Sequence, residues 1–214
     1  MAATFSAGTA RADVIFDFLP TNTFSGTAPV GTLSADFQNV AGGVQLTITS
    51  SLASGENLDP GKALYLNINP ADDASLGSLS FSLTANTGFS QAAIVMTGAD
   101  AFKPDGDGKM DILFTYAPST KAFTTGESQT YAITGIAGLT AADFDVGSTC
   151  GSGCGTGSHL AAIHVQNTPS GGSGSAFVGG TLDPSPVPEP PALGVFAMAL
   201  IGMWRALRRQ RLAK

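Results

Sequence analysis

The chain has 214 residues, with 10 Lys and Arg against 16 Asp and Glu and a net charge of −6. Hydrophobic residues make up 43%, enough to bury a core, which excludes general disorder. Charged residues make up only 12%, against about 25% in ordinary domains, so polar surface must come from the 20 Ser, 22 Thr and 27 Gly, the usage of an all-β, turn-rich, secreted-type protein.

The charges are also segregated. Between Asp13 and Asp183 four lysines (Lys62, Lys103, Lys109 and Lys121) face fifteen acids, a net −11. Half of the positive charges fall in the last ten residues, at Arg205, Arg208, Arg209, Arg211 and Lys214. A body this acidic does not attract phosphate backbones, which excludes nucleic acid as a partner.

In chain order, residues 1–12 come first. Ala10-Arg11-Ala12 before Asp13 has the small-x-small form of a signal-peptidase site, but Met1–Thr9 carries neither a basic start nor an apolar stretch. The segment reads as a leader or the remnant of a truncated signal peptide. The body, 13–183, follows. Val44-Gln-Leu-Thr-Ile-Thr49, Leu64-Tyr-Leu-Asn-Ile68 and Leu79-Ser-Phe-Ser-Leu83 alternate apolar and polar residues, the period of a half-buried strand. Further strands are expected at Val14–Phe18, Ala92–Met96, Ile112–Tyr116, Gln129–Thr134, Leu160–Gln166 and Ala176–Val178. Turn signals separate them, including Asp59-Pro-Gly, Asn69-Pro-Ala-Asp-Asp, Asp105-Gly-Asp-Gly and Thr125-Gly-Glu. Leu139–Phe144 reads as a single capped turn with Thr140 as cap. Nine short strands at this spacing predict a single antiparallel β-sandwich, jelly-roll-like, with Val44, Leu46, Ile48, Leu79, Phe81, Leu83, Ile112 and Phe114 facing its core.

Within the body, Lys103-Pro-Asp-Gly-Asp-Gly-Lys-Met-Asp111 sets carboxylates at alternate loop positions with glycines permitting the turn. A hard cation such as Ca²⁺ takes oxygen ligands in that pattern. Asp105, Asp107 and Asp111 would be the ligands, although Lys103 stands where the first acid belongs. The competing reading is a solvated hairpin turn. Cys150 and Cys154 are the only cysteines, and in an exported chain an even count favours a disulfide over free thiols or a metal pair. His164 in Ala161-Ala-Ile-His-Val reads as a satisfied strand histidine, and His159 as a loop residue. No Gly-x-Ser-x-Gly elbow and no phosphate-loop context occurs. Paired carboxylates for glycoside hydrolysis would be needed for the alternative function, a carbohydrate-active enzyme of β-sandwich type.

Residues 184–191, Pro-Ser-Pro-Val-Pro-Glu-Pro-Pro, hold five of the twelve prolines and form a stiff, extended spacer. The uncharged run Ala192–Trp204 and the basic cluster Arg205–Arg211 follow. Residues 192–207 would make a helix of about 24 Å, short for a bilayer core of about 30 Å unless Arg205 snorkels. A short transmembrane helix with a basic cytoplasmic tail is expected over 192–214, the acidic body lying on the far side.

Val187-Pro188-Glu189-Pro190, then the apolar segment, then Arg208-Arg209 resembles the PEP-CTERM sorting domain. The resemblance covers about 30 residues at the C-terminus and rests on three elements in order. It implies export across the inner membrane of a Gram-negative bacterium, transient anchoring, and processing by an exosortase, then residence at the cell surface or in the extracellular matrix. Extracellular polysaccharide is the partner class it implies. The segments Asp105–Phe114, Gly135–Phe144 and Ile163–Gln166 are similar to bodies often carried by this exported family, a likeness that implies no particular chemistry. The expectation is a non-catalytic envelope or matrix protein.

Overall fold

The computed structural model describes residues 13–117, 123–150, 158–169 and 174–182. The spacer, the sorting motif (Val187 to Pro190, Arg208 and Arg209), the expected membrane helix and the leader 1–12 lie outside the described residues. Residues 12–184 form one compact unit.

The described chain is all-β and antiparallel, as its alternation predicts. Its strands are β1 (Val14–Gly26), β2 (Thr32–Val40), β3 (Gly43–Ser51), β4 (Asn57–Leu58), β5 (Leu64–Leu66), β6 (Ser80–Thr87), β7 (Ile94–Phe102), β8 (Met110–Thr115), β9 (Ser128–Thr134), β10 (Ala161–Thr168) and β11 (Gly174–Leu182). Each of the nine expected strands is present. β2 and the two-residue β4 are additional to them. Two 3₁₀ segments interrupt the strands. One covers Pro70–Ser78, where a simple turn was expected; Asn69 caps it by accepting from Ala71 N–H. The other, Ala141–Phe144, starts at Thr140 as expected, and Asp143 accepts from both the N–H and the hydroxyl of Thr140.

The strands join in one nearly closed sheet, in the order β6-β9-β3-β2-β1-β11-β10-β5-β8-β7, with β4 also on β10. The chain therefore departs from two separately hydrogen-bonded sheets. The physical reason lies in β1. Its register to β11 shifts twice, between Phe18 and Thr23 and again before Ser25, and such bulges bend a strand and increase its twist. The sheet turns a corner there without breaking. Its two ends then meet across the core: Phe114 of β8 packs edge-on against Phe81 of β6 at 5.3 Å and against Tyr131 of β9 at 5.5 Å.

One apolar cluster fills the interior, drawn from every strand except the two-ended edges, which contribute partly buried side chains. Val44, Leu46, Ile48, Ile112 and Phe114 are buried in it as expected, while Leu79, Phe81 and Leu83 are only partly buried against it. β6 ends the hydrogen-bonded path, so its face is covered from one side only. One polar group is taken into the core with its needs met. Gln129 accepts from the hydroxyls of Tyr116 and Tyr131 and donates to the carbonyls of Phe89 and Gln91, as buried amides must.

Candidate functional site

Period 2 gives every strand an outer face, and on one side of the sheet that face carries a second cluster. In β5, Leu64 and Leu66 point to the core and Tyr65 points out; in β8 Leu113 does so, in β10 Ala162, in β11 Phe177. Phe24 and Phe102 pack on this outer group. His164 lies directly across from Phe177 in the β10–β11 ladder, so it shares that outer face. Its ring stacks on the Phe177 ring at 4.2 Å and 5°.

His164 is further held by the turn Asp59-Pro60-Gly61-Lys62. The Asp59 carbonyl accepts from Lys62 N–H, its Oδ1 accepts from Gly61 N–H, and its own N–H donates to the His164 carbonyl. These bonds place Asp59 Oδ2 2.7 Å from His164 Nδ1. Burial lowers the His164 pKa from its ordinary 6.5, and the Asp59 charge opposes this without cancelling it. The ring is therefore neutral at pH 7. With a carboxylate facing Nδ1, the single proton belongs on Nδ1, and Nε2 is left as an acceptor. The neighbouring Tyr65 hydroxyl is pushed up to about 12 by burial and by Asp59.

A pocket of about 750 Å³ opens beside this pair, lined by Lys62, Lys103, Pro104, Asp105, Gly106, His164, Ser175 and Phe177. Three separate segments form it. The turn 59–62 delivers Lys62, the loop 103–106 delivers Lys103 and Asp105, and the β10–β11 ladder delivers His164, Ser175 and Phe177. Ser25 donates to Asp105 Oδ2 at 3.3 Å, tying the loop to β1. Among the described residues the close contacts between a basic side chain and a carboxylate are His159–Asp107 and His164–Asp59, and neither involves a lysine.

A second histidine–aspartate pair stands nearby. The rings His159, Phe24, Phe177 and His164 form a continuous stack, with centroid spacings of 4.6, 6.0 and 4.2 Å. His159 Nδ1 lies 3.1 Å from Oδ2 of the fully buried Asp107. Oδ1 of Asp107 accepts from Gly108 N–H and from the Ser148 hydroxyl. Burial works to raise the Asp107 pKa, but His159, Gly108 and Ser148 outweigh it and hold the carboxyl below 3.8. The Ser148 N–H donates to the His159 carbonyl, and the Ser158 hydroxyl donates to the Ser148 carbonyl. This node joins the residues just before Cys150 to those just before β10. His159, expected as a solvated loop residue, is instead a packed part of it.

The three aspartates expected at one cation site are not brought together. Asp105 is exposed at the pocket, Asp107 is turned inward onto His159 and Ser148, and Asp111 accepts from Ile68 N–H and Asp100 N–H. Burial raises the Asp111 pKa, against those two hydrogen bonds. The cause of the separation is the turn itself: Gly106 adopts φ +92° and Asp107 N–H closes back on the Pro104 carbonyl, sending successive carboxylates in different directions. Among the described residues no group of three His, Cys, Asp or Glu is placed to hold a metal. Cys150 follows the bridge between Lys109 and Thr149 and is not a free thiol; Cys154 lies outside the described residues. No helix among the described residues is long and apolar enough to cross a membrane.

Lys62, Lys103, Asp59 and Phe177 were not singled out from the sequence as site residues. The signal that could have found them is the rarity of lysine in the body combined with the outward register of Phe177 and His164. Comparison of the chain with protein-family models, with curated proteins and with solved structures finds no match.

Proposed function

We propose that this chain is an exported, non-catalytic protein of the cell envelope or extracellular matrix of a Gram-negative bacterium, sorted by its C-terminal signal and acting by binding. The observation that carries this reading is the order of the tail: Val187-Pro188-Glu189-Pro190, an uncharged run, and Arg208-Arg209 at the C-terminus. An exosortase is the processing partner, the segment 192–207 the transient membrane anchor, and extracellular polysaccharide the class of surface contact. The low charge content and the wealth of Ser, Thr and Gly suit residence outside the cell. We take the curled sheet as a jelly-roll-like sandwich scaffold, its β6–β9 end facing β8. We read Cys150 and Cys154 as a disulfide that pins the segment before β10; two free thiols by mass spectrometry after oxidising expression would refute this.

Binding is favoured over catalysis by the make-up of the pocket. Glycoside hydrolysis uses two opposed carboxyl groups, whereas Asp105 is the one acid in a lining that also holds two lysines. The test is made in cells. Replacing Pro188, Glu189 and Pro190 with Ala is expected to trap the unprocessed protein in the inner membrane. Normal surface release of that variant overturns the sorting reading.

A further inference from the structure

Two of the four lysines of a body carrying −11 line one pocket. Neither meets an Asp or Glu at ion-pair distance among the described residues. Elsewhere the acidic surface repels anions, so an anionic group that reaches this protein finds its best partners here. The pocket is not purely cationic, however. Nε2 of neutral His164 is an acceptor, Asp105 is an acceptor, and Ser175 can donate or accept. Phe177 and Pro104 supply apolar area. A ligand that satisfies this set carries a negative charge for the lysines, hydroxyl donors for His164 and Asp105, and a carbon face for the apolar floor. Inorganic phosphate matches the lysines and Ser175 but leaves Phe177 and Pro104 without an apolar partner. A neutral sugar matches the acceptors but brings no counter-charge to the two ammonium groups.

We propose that the pocket between Lys62, Lys103 and His164 binds a carboxylate-bearing saccharide of the uronic-acid type. The carboxylate sits between Lys62 and Lys103, and ring hydroxyls donate to His164 Nε2 and Asp105. The pocket volume falls within the range of about 300–1,000 Å³ that small-ligand sites occupy. Asp59 is a positioning residue: it fixes the His164 tautomer and, through its turn, the place of Lys62. The proposal deepens the reading of an extracellular binding protein and rests on it for the encounter with polysaccharide.

The test is calorimetric titration of the full-length chain in detergent, at constant ionic strength. Tetragalacturonate, maltotetraose and inorganic phosphate are the probes. Tetragalacturonate is expected to bind, maltotetraose and phosphate at least about tenfold more weakly. The double variant Lys62→Gln/Lys103→Gln is expected to weaken tetragalacturonate binding about tenfold or more, since both side chains are exposed and bear no packing role. Lys109→Gln, which changes a lysine outside the pocket lining, is expected to bind as the parent does. Absence of tetragalacturonate binding, equal binding of phosphate or maltotetraose, or unchanged binding by the double variant each overturns the proposal. The double variant leaves the tail untouched. Failed binding with normal sorting therefore sinks this inference alone, and failed sorting with intact binding sinks the localisation reading alone.

Discussion

Glu56 shows how much one side chain can hold in a molecule with few charges. It is buried, and its carboxylate accepts from Val30 N–H at 2.7 Å, Gly31 N–H at 3.0 Å and Ala53 N–H at 2.9 Å. Those bonds tie the loop before β2 to the turn after β3. Glu56→Ala leaves three backbone donors without their acceptor and is expected to cost about 2 kcal/mol or more, read as a lowered urea midpoint with unchanged slope. Asp107 makes a different residue-scale prediction. Its folded pKa is below 3.8, so the unfolded chain binds the proton first. Its contribution is present above pH 3.8 and is lost as pH falls through the folded value. Thermal melts taken below pH 3.8 are expected to show a steeper loss for the parent than for Asp107→Asn. His164 works in a higher window. Its folded pKa is below 6.5, so stability is level above that value and declines as pH falls beneath it, the unfolded chain again protonating first. Asp59, Lys62 and Asp105 are the charges that act on it, and His164→Gln is expected to flatten the decline.

At the scale of elements, the joint between β1 and β11 decides the shape of the sheet. Gly26 ends β1 at φ +84°, opposite Ala176, and a Cβ there would lie 2.0 Å from the Ser175 carbonyl oxygen. The clash is with backbone, and the left-handed conformation is itself costly for other residues. Gly26→Ala is expected to destabilise by about 2–4 kcal/mol, seen in the denaturation midpoint, and to loosen Ser175 at the pocket. Strands were legible wherever alternation was clean: Val44, Leu46 and Ile48 on one side of β3, Leu64 and Leu66 on one side of β5. The pattern in β2 was equally regular, since Leu33, Ala35 and Phe37 are all buried, but Asp36 and the small Ala35 disguised it. The bend in β1 was not legible, because its cause is a change of register with β11, more than a hundred residues away in sequence.

At the scale of the molecule, one interior cluster joins the whole sheet, so residues 13–182 are expected to melt in one cooperative thermal transition; two separable transitions would contradict that packing. With Asp105, Asp107 and Asp111 each engaged elsewhere, the same melting temperature is expected in millimolar Ca²⁺ and in excess chelator, and a calcium-dependent rise would restore the cation loop. Sequence spacing suggested convergence there because neighbours in sequence were taken as neighbours in space. The pocket failed to show for the opposite reason: residues 59–62, 103–106, 164 and 175–177 meet only through cross-strand register. The tail reading rests on three contiguous elements of the sequence that lie outside the described residues, so it stands as a proposal. The central claim is that this tail commits the body to exosortase-dependent export. Fractionation of the native strain with and without its exosortase tests it most directly. The account predicts processed protein at the surface or in the matrix of the parent and full-length protein in the inner membrane of the exosortase-deficient strain; the same processed, released protein in both strains would contradict it.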